Sequence, residues 1–135
     1  ADRERTLESW ELHHRKVLER GWPLAFAVQD GMTEHDVPKL ASVVFVGGST
    51  EWKWEMAEYW TKRFPRVHIG RVNGTRRLWM AQRFGAESCD GPGYFRDTIN
   101  GLSGRKLQAW LHHGTDPQHE LNRAHYVDLF HLVGP

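Results

Sequence analysis

Leu24-Ala25-Phe26-Ala27-Val28-Gln29-Asp30-Gly31 is the stretch on which the fold turns. Five apolar residues run without a polar break after Pro23, then stop at Gln-Asp-Gly. A strand open to water on one face alternates apolar and polar residues, whereas a parallel strand buried on both faces reads as a short unbroken apolar run. The stretch therefore predicts a buried parallel strand whose C-terminal end carries polar side chains. Upstream, Asp2 to Arg20 reads as a helix. Leu7, Trp10, His14, Val17 and Leu18 recur at three- and four-residue steps, and Gly21 follows as its stop.

The pattern repeats downstream in form, without repeating in sequence. Ser42 to Val46 is a second apolar strand ending at Gly47-Gly48. A helix follows from about Glu51 to Arg63, with Trp52, Met56, Ala57 and Trp60 on one face. Arg66 to Ile69 is a third strand, ending at Gly70-Arg71-Val72-Asn73. A helix from about Thr75 to Phe84 is closed by Gly85. Ala86 to Cys89 is a weaker fourth strand, ending at Asp90-Gly91-Pro92-Gly93, and a further helix covers about Arg105 to His112. The strand ends at Gln29, Gly47, Gly70 and Asp90 fall roughly 20 residues apart, room for a loop, a helix and a returning strand, which implies parallel strands joined by right-handed crossovers.

The class is α/β. About four βα units are present, where a closed eight-stranded barrel takes roughly 200 residues or more. The expectation is the C-terminal half of a TIM-type (β/α)8 barrel, with a small open sheet as the alternative. The chain begins in a helix with no strand before it, as a truncated or split barrel would. Residues 1–114 form the partial barrel domain in this reading, and residues 115–135 a closing helix and tail. Asp116-Pro117 opens that helix, and Leu121, Leu129, Phe130 and Val133 give it an apolar side.

The totals exclude several classes. With 135 residues the chain can bury a core, and a formal charge of +1 argues against a simple polyanion-coating protein. The arginines are unevenly spread, however, with Arg66, Arg71, Arg76, Arg77 and Arg83 close together. Cys89 is the one cysteine, so an intrachain disulfide is impossible and a structural zinc site is not expected. No apolar run reaches the ~20 residues of a membrane span. The expected setting is the cytoplasm of a bacterial or phage-infected cell, with no cofactor and no metal. HExxH, GxGxxG, GxSxG and the P-loop spacing are absent. Thr6 to Glu11 and Glu51 to Glu55 read as ordinary charged helix faces.

In parallel α/β folds the ligand site forms at the C-terminal strand ends. Here those ends carry Gln29 (amide donor and acceptor), the exposed backbone of Gly47-Gly48, Arg71 and Asn73, and the carboxylate of Asp90. For Asp90 two roles stay open on spacing alone. It caps the Gly91-Pro92-Gly93 turn, or it acts as a carboxylate that attacks an electrophilic carbon or stabilises positive charge on a sugar.

Four segments, in order, resemble the tRNA-guanine transglycosylase superfamily and its phage and bacterial DNA-acting relatives. Phe26 to Met32 is similar to the family's strand ending in a base-binding glutamine. Phe45-Val46-Gly47-Gly48 is similar to its Gly-Gly strand end. His68-Ile69-Gly70-Arg71-Val72 resembles the strand ending in its Gly-Val-Gly turn, with Arg71 in place of a small residue. Glu87-Ser88-Cys89-Asp90 resembles the last strand, where the nucleophilic aspartate stands. The likeness spans about Leu7 to Arg96 and is nearest to small phage-associated members. The zinc site that follows the last strand in the tRNA enzymes has no counterpart here. The family's base-reading aspartate belongs to the first half of the barrel.

The resemblance implies an enzyme that cleaves or exchanges a nucleobase at its N-glycosidic bond in nucleic acid, DNA rather than RNA. Asp90 is then the catalytic residue. Gln29, Asp30, Gly47 and Gly48 bind the base, while Arg71, Asn73, Arg76, Arg77 and Arg96 hold phosphates. The implied partner besides nucleic acid is the N-terminal half of the barrel, as a further segment or a second chain. Two competing readings remain: a non-catalytic nucleic-acid-binding module, and a barrel enzyme for a small phosphorylated metabolite.

Overall fold

A computed structural model describes residues 2–93, together with Arg105, Leu107, Gln108, Trp110 and Leu111. The chain divides into two compact units, Ala1–Pro92 and Gly93–Pro135. In the second unit the described residues are Gly93 and the five between Arg105 and Leu111, and those five are helical, within the helix expected from about Arg105 to His112. The closing helix at Asp116-Pro117, the division after residue 114 and Arg96 lie outside the described residues.

The first unit is α/β. Its elements are α1 (Arg3–Leu18), β1 (Ala25–Val28), a 3-10 turn (Glu34–Asp36), β2 (Val43–Val46), α2 (Thr50–Arg63), β3 (Val67–Ile69), α3 (Thr75–Phe84) and β4 (Ser88–Cys89). The four strands form one parallel sheet in the order β1-β2-β3-β4. No helix among the described residues is long and apolar enough to cross a membrane.

Local chemistry explains the boundaries. Asp2 accepts from the Arg5 backbone N–H at 3.2 Å and starts α1. Lys62 and Arg63 in the last turn of α2 complement its dipole. Gly85, in the left-handed region at φ 84°, closes α3.

Three expectations need correction. First, the interval between β1 and β2 holds only the 3-10 turn, not a helix. Pro38 interrupts the segment, and Asp36 folds back to accept from the Thr33 backbone N–H at 2.9 Å. Met32, 1 % exposed, anchors this crossover to the core. Second, β1 is not buried on both faces. Register puts Phe26, Val28, Val44, Val46, Val67 and Ile69 on one face, where each is at most 2 % exposed. Ala25, Ala27, Val43, Phe45, His68 and Ser88 on the other face are half-buried or exposed. Third, Leu18 lies outside the inner face of α1, at 42 % exposure. The helix has no fully buried residue, and its anchor is the Trp10 ring, edge-on to Phe26 at 5.3 Å between centroids.

The two-faced character of the sheet follows from its topology. With strands in sequential order and right-handed crossovers, successive crossover helices fall on the same side. Packing between α2 and α3, and of α2 on β2 and β3, agrees with this. Ala57, Trp60, Leu78 and Ala81 supply the helix side of the core.

Candidate functional site

The C-terminal ends of the four strands form a continuous rim, joined laterally by side chains. From β1, the Gln29 Oε1 accepts from the Gly48 N–H at 2.9 Å, and the Asp30 Oδ1 accepts from the Ser49 N–H at 2.6 Å. From β3, the Arg71 guanidinium donates to the Gly48 carbonyl, and the Arg71 backbone N–H donates to Asp90 Oδ1 at 2.5 Å. Each strand end is thus tied to the next. Arg71 reaches both neighbours from a left-handed backbone at φ 57°, uncommon for a side chain of its size.

This lacing assigns work to the expected base-binding residues. The Gly47 N–H donates to the Val28 carbonyl, continuing the sheet by one more bond, while both the N–H and the carbonyl of Gly48 are engaged. Gly48 sits at φ 70°, where a Cβ would run into Asp30 Oδ1 and approach Trp52 Cε3 to 2.7 Å. The glycine is thus required by close packing of the rim itself. Hydrogen bonds from Ser49, side chain first and then backbone, hold the Asp30 carboxyl below its usual range and fasten it at the start of α2. Gln29 keeps its amide Nε2 donor beyond the Gly48 bond.

Asp90 is an exposed carboxylate of the rim, with 57 % of its side chain accessible. Its carboxylate caps the β3 loop through the Arg71 N–H, and its main-chain carbonyl accepts from the Val72 N–H at 2.5 Å. Its second oxygen, Oδ2, faces His68 Nε2 at 3.7 Å. Of the expected phosphate residues, Arg71 stands at this rim. Asn73 lies in the same loop, and Arg76 and Arg77 open α3. The Arg77 guanidinium lies over the Trp54 ring at 5.6 Å.

Two residues of the site were missed in the sequence. Lys53 falls in the Glu51 to Glu55 stretch read as a charged surface, yet it is 1 % exposed. Its Nζ donates to the Gly70 carbonyl at 2.5 Å. Burial first, then the charges of Arg71 and Arg77, pull its ammonium down to about 8 against the opposing pull of Asp90. The signal was the spacing Lys53-Ala57-Trp60, the buried stripe of α2. The other is His68, on the open face of β3. Ser88, its register partner on β4, and Asp90 two residues on share that face.

Cys89 is a poor nucleophile: burial first, and then Asp90, push its thiol above the usual value. Among the described residues, no cluster of three His, Cys, Asp or Glu side chains is placed to hold a metal. The rim carries two exposed carboxylates, Asp30 and Asp90, and the Lys53 ammonium feels the charges of Arg71, Arg77 and Asp90. No protein-family model, no characterised protein and no solved structure matches this chain.

Proposed function

We propose that this rim is half of a (β/α)8-barrel active site that breaks the base–sugar bond of a nucleotide in DNA, with Asp90 as nucleophile. The observation that carries the reading is Asp90 itself. It is an exposed carboxylate at a strand end, held through one oxygen by a backbone N–H and close enough to the Lys53 ammonium to interact with its charge. The ordered likeness of the four strand ends to the tRNA-guanine transglycosylase superfamily supports it. So does the sheet, whose sequential order has no reversal of direction and leaves one face open, as a barrel wall requires.

In this mechanism the nucleotide is flipped out of its stack. The Gln29 amide N–H contacts the base edge, and the arginines of the β3–α3 loop hold the adjoining phosphates. An Asp90 oxygen bonds to the anomeric carbon as the carbon–nitrogen bond breaks. The base leaves with that electron pair and takes up a proton. An incoming base or water then displaces the carboxylate, giving exchange or excision. Asp30, fastened to Ser49 through Oδ1, shapes the rim.

The test is incubation of the protein with DNA carrying normal and modified bases, with mass-spectrometric detection of released base and of abasic sites. Asp90→Asn is expected to abolish release and leave DNA binding intact. Full activity in that variant overturns the assignment, and salt-sensitive binding without any base release by the wild type favours a binding module instead.

A further inference from the structure

The open face of the sheet holds a second chemical feature beside Asp90. The His68 ring stacks on Phe45, with centroids 4.8 Å apart and planes 19° from parallel. Phe45 is itself fixed from above, since even a Cβ at Gly70 would come within 2.6 Å of its Cζ. On the β4 side, His68 Nδ1 lies 2.9 Å from Ser88 Oγ. His68 Nε2 is enclosed, makes no hydrogen bond among the described residues, and faces Asp90 Oδ2 at 3.7 Å. The ring is therefore held by stacking and by one hydrogen bond, with its remaining nitrogen aimed at the candidate nucleophile.

The proton position follows from the partners. An ionised carboxylate only accepts hydrogen bonds, so a bare nitrogen lone pair facing it is repelled and an N–H is attracted. A serine hydroxyl donates or accepts with equal ease by rotating. The arrangement of lower energy puts the imidazole proton on Nε2, toward Asp90, with the Ser88 hydroxyl donating to Nδ1.

We infer that His68 is a positioning residue for Asp90: the Ser88–His68 pair presents an Nε2–H to Oδ2 while the Arg71 N–H holds Oδ1, fixing the plane of the carboxylate. The 3.7 Å separation lies outside hydrogen-bond range. It closes when Asp90 turns onto a bound nucleotide, as hydrogen bonds at active sites commonly tighten on binding. His68 acts through Asp90 and not on the substrate, because its Nε2 is enclosed. The kinetic part of this inference rests on the nucleobase reading; the tautomer part does not.

The experiment has two arms on the full chain. Long-range proton–nitrogen correlation NMR at neutral pH identifies the His68 tautomer. The expected result is Nε2–H in the wild type and a mixture of tautomers in Ser88→Ala. An Nδ1–H tautomer in the wild type overturns the proposal, whatever the protein acts on. In the second arm, base release is measured for His68→Leu and His68→Gln. Loss of orientation is expected to lower kcat on the order of 10²-fold in the leucine variant, with KM little changed. The glutamine variant, whose amide N–H falls near the position of Nε2–H, is expected to recover most of it. Undiminished kcat in His68→Leu, or no recovery in a folded His68→Gln, overturns the proposal. A wild type that releases no base condemns the nucleobase reading, and the tautomer then decides the His68 assignment alone.

Discussion

Lys53 Nζ donates to the Gly70 carbonyl at 2.5 Å from a side chain that is 1 % exposed, so α2 grips the end of β3 through a buried ammonium. Arg71, the next residue along, bonds to Asp90 and Gly48. The helix-to-strand contact therefore underlies the loop that sets the candidate nucleophile.

Burying that charge has a stability consequence with a definite sign. Lys53 is pulled from 10.5 to about 8 in the folded protein, so between those values the unfolded chain binds more protons. Stability rises with pH across that window as the native ammonium is neutralised first. Lys53→Met, lacking the buried charge, is expected to match or exceed the wild type in stability at pH 7. Its advantage should shrink between about pH 8 and 10.5. Urea unfolding midpoints at pH 7 and 10 measure this, and a pH-independent gap contradicts it.

Gly48 tests the packing of the rim. Gly48→Ala places a methyl against Asp30 and Trp52 at a backbone φ of 70°. The expected loss is about 2 kcal/mol or more, read from denaturant unfolding. A variant as stable as the wild type contradicts the close approach of the β1 and β2 ends.

Asp30 serves the same junction electrostatically. Its carboxyl is held below the ordinary value by Ser49, so its contribution is present above the usual aspartate range and is lost as pH falls through the depressed value. Asp30→Asn is expected to be less stable than the wild type near neutrality and indistinguishable from it in strong acid. Its DNA affinity should be unchanged, which filter binding checks. A large affinity loss restores Asp30 as a base-binding residue.

Arg77, over Trp54 at the start of α3, reports on phosphate binding. Arg77→Ala is expected to weaken binding of DNA of any sequence and to reduce the slope of log affinity against log salt by about 1. Unchanged salt dependence removes Arg77 from the phosphate contacts.

The main elements were legible in the residues because their signals are local. The apolar runs at Phe26, Val44 and Ile69, the helical spacing of Ala57 and Trp60, and Gly85 after Phe84 each act within a few positions. The crossover after β1 was misread because strand spacing counts residues and is blind to Pro38 and to the Thr33–Asp36 turn. The site was half legible. Gln29, Arg71 and Asp90 ended apolar strands visibly, but Lys53 looked like surface because lysine normally is, and only its α2 stripe marked it otherwise.

By itself the sequence determined that the chain forms parallel strands with helices after the second and third, and that polar side chains gather at the strand ends. Short-range periodicity and backbone preference suffice for that. Tertiary structure alone decided which atoms at those ends meet. Asp90 opposite His68, Arg71 bridging Gly48 and Asp90, and Lys53 beneath Gly70 all join residues about 20 positions apart. Such pairings depend on sheet register and on which face the helices cover. Both are outcomes of packing the whole unit, and no local pattern encodes them.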